Sequence, residues 1–295
     1  MKSCRDINKL AIGTVQFGCS YGISNKIGQV SIDSAKQILL YAKSAKINVL
    51  DTAIAYGDSE LCLGQIGIEN WKVVSKLSEL PTGVGNVQKW AKDSLEGSLS
   101  RLKIPQLYGL LLHRPQQLLS QRGQEIYESL NLLKAEGLVN KIGISIYSPN
   151  ELDELFDRFS FDLVQAPFNI LDRSLEKSGW LSRLKSEGVE VHIRSIFLQG
   201  LLLMNSATRP IYFDRWNPLW IEWEQWLLKS ELNPLQACLS FVLSKSDIDR
   251  VVVGVDSLYQ LQEILAARTI SEVTVPDKLS SEDTDLINPA RWRLT

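Results

Sequence analysis

Eight short, almost uninterrupted apolar runs recur along the chain, and most close on a small or polar residue. The first four are "LAIGT" (10–14), "INVLD" (47–51), "KVVSK" (72–76) and "LYGLLLH" (107–113). The second four are "KIGIS" (141–145), "DLVQA" (162–166), "VEVHIRS" (189–195) and "RVVVG" (250–254). Runs of this length without strict alternation read as strands covered on both faces. Between them the apolar positions return at three- and four-residue spacing, the period of an amphipathic helix. Ile32, Ala35, Ile38, Leu39, Ala42 and Ala45 follow the N-cap candidate Ser31, and Val87, Trp90, Ala91, Leu95, Leu99 and Leu102 follow Asn86. Gly137 and Gly188 stand where helices would end.

Strands interleaved with helices in one direction predict a parallel sheet. An open doubly wound sheet is one solution. Eight near-regular βα units fit the closed (β/α)8 barrel better, as a single domain over 1–295. The interval between the seventh and eighth runs is the longest, and it predicts an inserted helical segment or cap around 200–248. Composition adds little that is unusual. The chain has 295 residues, 44% of them hydrophobic and 22% charged, which argues against disorder. A formal net charge of −2 predicts no electrostatic grip on nucleic acid or on a membrane surface. Cys4, Cys19, Cys62 and Cys238 are scattered, with no CxxC pair and no histidine cluster, so neither a metal site nor a disulfide framework is expected. The first ten residues lack a signal-peptide core, and no apolar run approaches the roughly 18 residues of a membrane span. The expectation is a cytoplasmic protein, a monomer or small homo-oligomer, with reduced thiols.

In a parallel barrel the active site lies at the C-terminal ends of the strands. Three of the runs end on Asp51, Lys76 and His113, and Tyr56 lies in the loop "TAIAYGDSE" after the second run. Asp51 as a helix cap and Tyr56 as packing is the bland alternative, but convergence of four such groups on one rim favours chemistry. A phenol near its ordinary pKa of about 10 needs help to exchange a proton near neutrality. A lysine stabilises the phenolate, a carboxylate holds the lysine, and a neutral histidine can orient a carbonyl oxygen. The set has no nucleophile. It suits acid catalysis of carbonyl reduction with a hydride from a cofactor.

At "LDTAIAYGDSELCLG", "SKL" and "LLLHRP", and on to "VVVGVDSLYQLQEIL", the sequence resembles the aldo-keto reductases. The resemblance implies that Asp51, Tyr56, Lys76 and His113 are the family's catalytic tetrad and that a small aldehyde or ketone, sugar-type included, is interconverted with its alcohol. It also implies a nicotinamide cofactor, NADP(H) or NAD(H), lying across the barrel mouth without a Rossmann fingerprint. Gly13 and Thr14 would meet that cofactor, and Ser145 and Gln165 would hold its carboxamide. Arg194, Ser195 and Gln199 would run beneath it, with Gly254, Asp256 and Gln260 at the adenosine end. Two positions depart from the family. Ile146 stands where Asn is usual, and Arg194 where a nicotinamide-stacking Tyr is common, although a planar guanidinium also stacks. Asp256 and Gln260 replace basic residues of many NADP-using relatives, which favours NAD(H), since a carboxylate repels a 2′-phosphate.

The rival reading is a cofactor-holding regulatory module, as potassium channel β-subunits are on a similar barrel. A phosphate-binding lyase or isomerase would want a Gly-rich, basic loop where this chain has "LQGLLL" and "VGVDSL". Elsewhere His192 reads as a structural histidine, Trp223 and Trp226 as packing, and Cys19 and Cys62 as inert. Trp216 could face substrate or pack. "CSYGISNKIGQVS" could form a hairpin or a loop that brings Tyr21 to the pocket wall.

Overall fold

The computed structural model describes residues 9–267 and 273–294, so Cys4 lies outside the described residues. Eight parallel strands close into a barrel in chain order. They are β1 (Leu10–Gly13), β2 (Val49–Asp51), β3 (Lys72–Leu77), β4 (Leu107–Leu112), β5 (Val139–Ser145), β6 (Leu163–Pro167), β7 (Glu190–Arg194) and β8 (Arg250–Gly254). The helices are α1 (Val15–Gly18), α2 (Ile32–Ser44), α3 (Ser59–Ile66), α4 (Val87–Leu102), α5 (Gly123–Ala135) and α6 (Asn150–Phe156), then α7 (Ser174–Lys177), α8 (Trp180–Ser186), α9 (Asn217–Ser230), α10 (Pro234–Leu243), α11 (Leu258–Ala266) and α12 (Thr284–Ile287). The (β/α)8 expectation holds. The second strand is shorter than its apolar run because the Ile47 amide donates to Ala42 O at 3.0 Å, which spends it on the end of α2.

The local signals behave as their chemistry requires. Ser31 and Asn86 accept the amides of Ser34 and Lys89 and cap α2 and α4. Gly137 and Gly188 follow α5 and α8 with φ of 76° and 75°, the left-handed region where glycine costs least. The segment 19–31 forms turns and bends without a strand, so of its two expected forms it takes the loop.

Two apolar layers hold the fold. The larger lies between strands and helices, and the smaller fills the barrel with Ala11, Val49, Val74, Leu111, Leu163 and Val252. Strand side chains alternate between faces, so the residue two positions on points to the same side. Two positions beyond that plug stand Gly13, Asp51, Lys76, His113, Gln165 and Gly254. The site is therefore the next layer of the barrel interior towards the C-terminal mouth, made from polar and small residues where the layer below is aliphatic.

The insertion between β7 and β8 comprises three short 3-10 turns followed by α9 and α10. Trp220 and Trp223 are buried, and the Trp223 and Trp226 rings stack at 5.5 Å. The Trp220 and Trp226 indole N–H groups donate to Phe213 O (2.9 Å) and Thr274 O (3.3 Å). These contacts make the helical spacing of the tryptophans a packing pattern. No helix among the described residues is long and apolar enough to cross a membrane.

Candidate active site

The loop carrying Tyr56 is clamped from three sides. Ser59 donates to Thr14 O at 2.8 Å and meets the Thr52 hydroxyl at 3.1 Å. The buried Glu60 carboxylate accepts from Ser75 (2.8 Å), Ser98 (2.6 Å) and Arg101 Nε (2.9 Å), tying α3 to β3 and α4. Gly18 and Gly57 let α1 and the loop touch. A Cβ on Gly18 would sit 1.8 Å from Tyr56 O, and Gly57, at φ 53°, would meet Gly18 O at 2.4 Å. The stretch "AYGDSE" thus fixes where the phenol stands.

Beneath it, the Lys76 ammonium donates to Asp51 Oδ1 at 2.7 Å and Thr52 O at 2.8 Å. Gln165 Nε2 donates to Asp51 Oδ2 at 2.6 Å, and the Ser145 hydroxyl donates to Gln165 Oε1 at 3.3 Å. Lys76 is 1% exposed and Asp51 5%. Burial alone would lower the lysine pKa, but Asp51 and the Tyr56 phenol outweigh it, and the ammonium is held above the ordinary lysine value. Its Nζ lies 5.0 Å from the centroid of the Tyr56 ring.

His113 follows β4, with its amide on Leu77 O at 3.0 Å and its ring 5.9 Å from that of Tyr56 at 83°. Burial first, then the charges of Lys76, Arg194 and Arg114, lower its pKa to about 4, against the weaker opposite pull of Asp51. Above that pH the ring is neutral and keeps an N–H to donate; below it the ring becomes a cation. An NMR titration is expected to show a His113 midpoint near pH 4, and a midpoint at the ordinary 6.5 would contradict the arrangement.

A cavity of about 500 Å³ opens over these groups. Tyr56, His113, Asp51 and Ser145 stand at one end, and Asp256, Gln260 and Glu263 line it beyond Gly13, Thr14 and Gly254. The loop after β7 crosses it with Ser195, Leu198 and Gln199 in the left-handed region (φ 61°, 49° and 54°), unusual for residues with a Cβ. Ser24 Oγ donates to Gln199 O (3.5 Å) and Gln199 Nε2 to the Tyr21 hydroxyl (3.2 Å), joining the loops after β1 and β7.

The sequence profile of the Aldo/keto reductase family matches residues 9–278. The chain belongs to the aldo/keto reductase family. It is an enzyme of that family, an NAD(P)-dependent oxidoreductase. An NADH-specific methylglyoxal reductase of Escherichia coli (strain K12) is 25% identical, over 90% of this chain and 91% of the relative. An L-galactose dehydrogenase of Arabidopsis thaliana is 26% identical, over 96% and 92%. The solved aldo-keto reductase AKR11C1 from Bacillus halodurans, in its holo form, superposes with a TM-score of 0.70 at 21% identity, over 90% of this chain and 88% of that one.

For an aldo/keto reductase of this sequence, most expected site residues meet in the one cavity. Gly13, Thr14, Asp51, Tyr56, His113, Ser145, Arg194, Ser195, Gln199, Gly254, Asp256 and Gln260 all line it. Lys76 and Gln165 stand behind the wall, each bound to Asp51. The Thr14 hydroxyl is spent on Asp51 O at 3.0 Å. Arg194 packs on Tyr147, with its guanidinium carbon 4.7 Å from the ring centroid. Tyr21 lines the cavity, whereas Trp216 does not; its indole donates to Asp283 at 3.0 Å. Of the insertion, Gly200, Leu203 and Leu235 reach the cavity.

His192 is fully buried, with Nε2 2.8 Å from Glu190. Cys62 and Cys238 are buried and burial pushes both thiols up, Cys62 to about 11, so neither offers a thiolate. Of the lining residues that sequence reasoning did not single out, two carry polar groups that bear on the site. Gln16 has a buried Oε1 without a partner among the described residues, and Tyr147 lines the cavity with Arg194 packed on its ring. Gln16 lies within the quoted "GTVQFG", the one signal that could have marked it.

Proposed function

We propose that this enzyme reduces a small aldehyde or ketone to the alcohol, with Tyr56 as the proton donor. The observation that carries the proposal is the buried Lys76–Asp51 pair (2.7 Å) beneath a phenol that shares its cavity with a neutral histidine. Lys76 presents positive charge to the phenol side of Tyr56, so a phenolate left after proton transfer is stabilised where it forms. Asp51, bound by Gln165 as well, fixes the lysine. His113 keeps an N–H for the carbonyl oxygen and so sets which atom the phenol protonates.

The residues present suit a nicotinamide dinucleotide: a cavity of about 500 Å³, the orphaned Gln16 Oε1 as a free acceptor, and the glycines Gly13 and Gly254 in its wall, which leave room for a ligand. When bound, the reduced cofactor supplies the hydride. Ser145 and Arg194 would hold it near Tyr56, Ser195 and Gln199 along its length, and Asp256 and Gln260 at the far end. Mixing the protein with NADH or NADPH and a panel of small aldehydes, methylglyoxal and glyceraldehyde among them, tests the reading. Carbonyl-dependent loss of reduced-cofactor absorbance supports it, and none with any aldehyde overturns it.

We further propose a preference for NAD(H). Asp256 accepts from Asn25 Nδ2 and Gln260 Nε2, both at 3.4 Å, and presents a carboxylate to this end of the cleft. A 2′-phosphate bearing about −1.5 to −2 charge is repelled there. The E. coli relative named NADH-specific supports the same direction. Asp256→Arg is expected to raise NADPH affinity roughly tenfold, about one charge-assisted hydrogen bond, without improving NADH affinity. Fluorescence titration of both cofactors checks it. Unchanged affinities, or a wild type already far tighter for NADPH, would remove Asp256 from the ribose.

A further inference from the structure

Among the described residues, two arginines beside the proposed reaction centre make no ion pair, although the charge of Arg194 reaches the buried Asp172. Arg114, exposed at the rim, and Arg194, half-buried in the wall, both pack on Tyr147, with guanidinium carbons 5.5 Å and 4.7 Å from the ring centroid. Arg194 spends donors on Ile146 O (2.9 Å) and Ser195 Oγ (3.3 Å) only, so most of its five N–H groups stay free. The Arg114 guanidinium makes no hydrogen bond or ion pair with the described residues and packs on Tyr147. The nearby carboxylates are committed elsewhere. Asp51 is bound to Lys76 and Gln165, and Asp172 accepts the Ser174 amide (3.1 Å) and hydroxyl (2.6 Å). Both guanidiniums lie close enough to His113 for their charge to act on its ring. The other end of the cavity, with Asp256 and Glu263, is acidic. The cleft is thus polarised along its length, and its positive end is where a carbonyl would react.

A partly buried guanidinium without a counter-ion is unfavourable until an anion arrives. We propose that Arg114 and Arg194, held in place by Tyr147, form a receptor for an anionic group of the substrate, so that the preferred carbonyl compounds carry a carboxylate or a phosphate. This rests on the carbonyl-reductase reading and adds the substrate class to it. It is compatible with a stacked cofactor ring, because stacking uses the face of a guanidinium and an anion uses its N–H edge.

Two aldehyde pairs test the receptor: 4-carboxybenzaldehyde against the near-isosteric 4-nitrobenzaldehyde, and glyceraldehyde 3-phosphate against glyceraldehyde. In the wild type the anionic member of at least one pair is expected to have a kcat/KM roughly tenfold or more above its neutral partner, the effect of one or two charge-assisted hydrogen bonds. The first pair reports a carboxylate and the second a phosphate. Arg114→Met with Arg194→Met should lower that ratio by a similar factor. Ratios near one in the wild type overturn the receptor. So does an equal loss on both members of a pair, which would give the guanidiniums to the cofactor alone, whereas weaker cofactor binding together with a lowered ratio supports both roles of Arg194.

A binding measurement separates this from the reductase reading. The chain has two histidines, so the His113 NMR signal is readily assigned with a His113→Asn variant. Saturating 4-(hydroxymethyl)benzoate or inorganic phosphate should raise the His113 midpoint in the wild type and leave it unmoved in the double variant. If no aldehyde is reduced, the reductase reading fails and this titration alone decides the receptor. A midpoint that neither anion moves overturns it.

Discussion

Replacing Tyr56 by Phe is expected to cut turnover by a few hundredfold or more while leaving cofactor affinity within about twofold. Positioned proton transfer contributes roughly 10²–10⁴ to a rate, and the ring without its hydroxyl removes that contribution at its source. Little else should change. The loop is fixed by Ser59, Glu60 and the Gly18–Gly57 contact, none of which uses the phenol. The fold and the cavity should therefore survive the substitution. Steady-state kcat beside a fluorescence titration of the cofactor reads both quantities. A Phe variant with near-wild-type turnover would assign the proton to another group.

Lys76→Met is expected to damage both catalysis and stability, by separable routes. The lysine and Asp51 are both buried and meet at 2.7 Å. Removing one member of such a pair leaves a buried charge uncompensated, at a cost of about 3–5 kcal/mol. Gln165 still donates to Asp51 Oδ2, which places the cost towards the lower end of that range. Turnover should fall by about 10² or more, because the charge that stabilises the phenolate is gone. The double variant Asp51→Asn with Lys76→Met discriminates the two routes. It should recover most of the denaturation midpoint, since no unpaired carboxylate remains, and recover none of the activity. Full recovery of activity would show that Lys76 matters only for packing.

Much of this site could be read from the chain because the barrel converts strand spacing into depth. Asp51, Lys76 and His113 end apolar runs, and the two-residue period that places Val49, Val74 and Leu111 in the plug also places them at the mouth. Tyr56 was legible for a different reason: its loop is a dense run of small and turn-forming residues that exists to be held. Ser145 and Arg194 came from the resemblance to the family, and both line the cavity.

What each side chain touches was less legible. The resemblance makes Gln165 a cofactor ligand, and nothing in the sequence signals that its amide also donates to Asp51 from behind the cavity wall. Arg194 reads as a stacking residue, and where its guanidinium packs depends on Tyr147, 47 positions away on a loop with no periodic signal. Arg114 follows His113 in "HRP" and looks like an ordinary surface cation until its neighbours across the barrel mouth are known. The tryptophans of α9 follow a helical period that is the same for a lid and for packing; only the indole hydrogen bonds to Phe213 and Thr274 distinguish the two.

The most direct measurement is a single turnover of enzyme-bound reduced cofactor with a saturating aldehyde, followed by stopped flow in the wild type and in Tyr56→Phe. A single turnover isolates the chemical step from product release, which limits kcat in many enzymes. If Tyr56 delivers the proton, the wild type oxidises the cofactor in one exponential phase and the Phe variant does so at least about 10² more slowly, with the same cofactor-binding amplitude. Equal single-turnover rates in the two proteins would contradict the assignment of Tyr56 as proton donor.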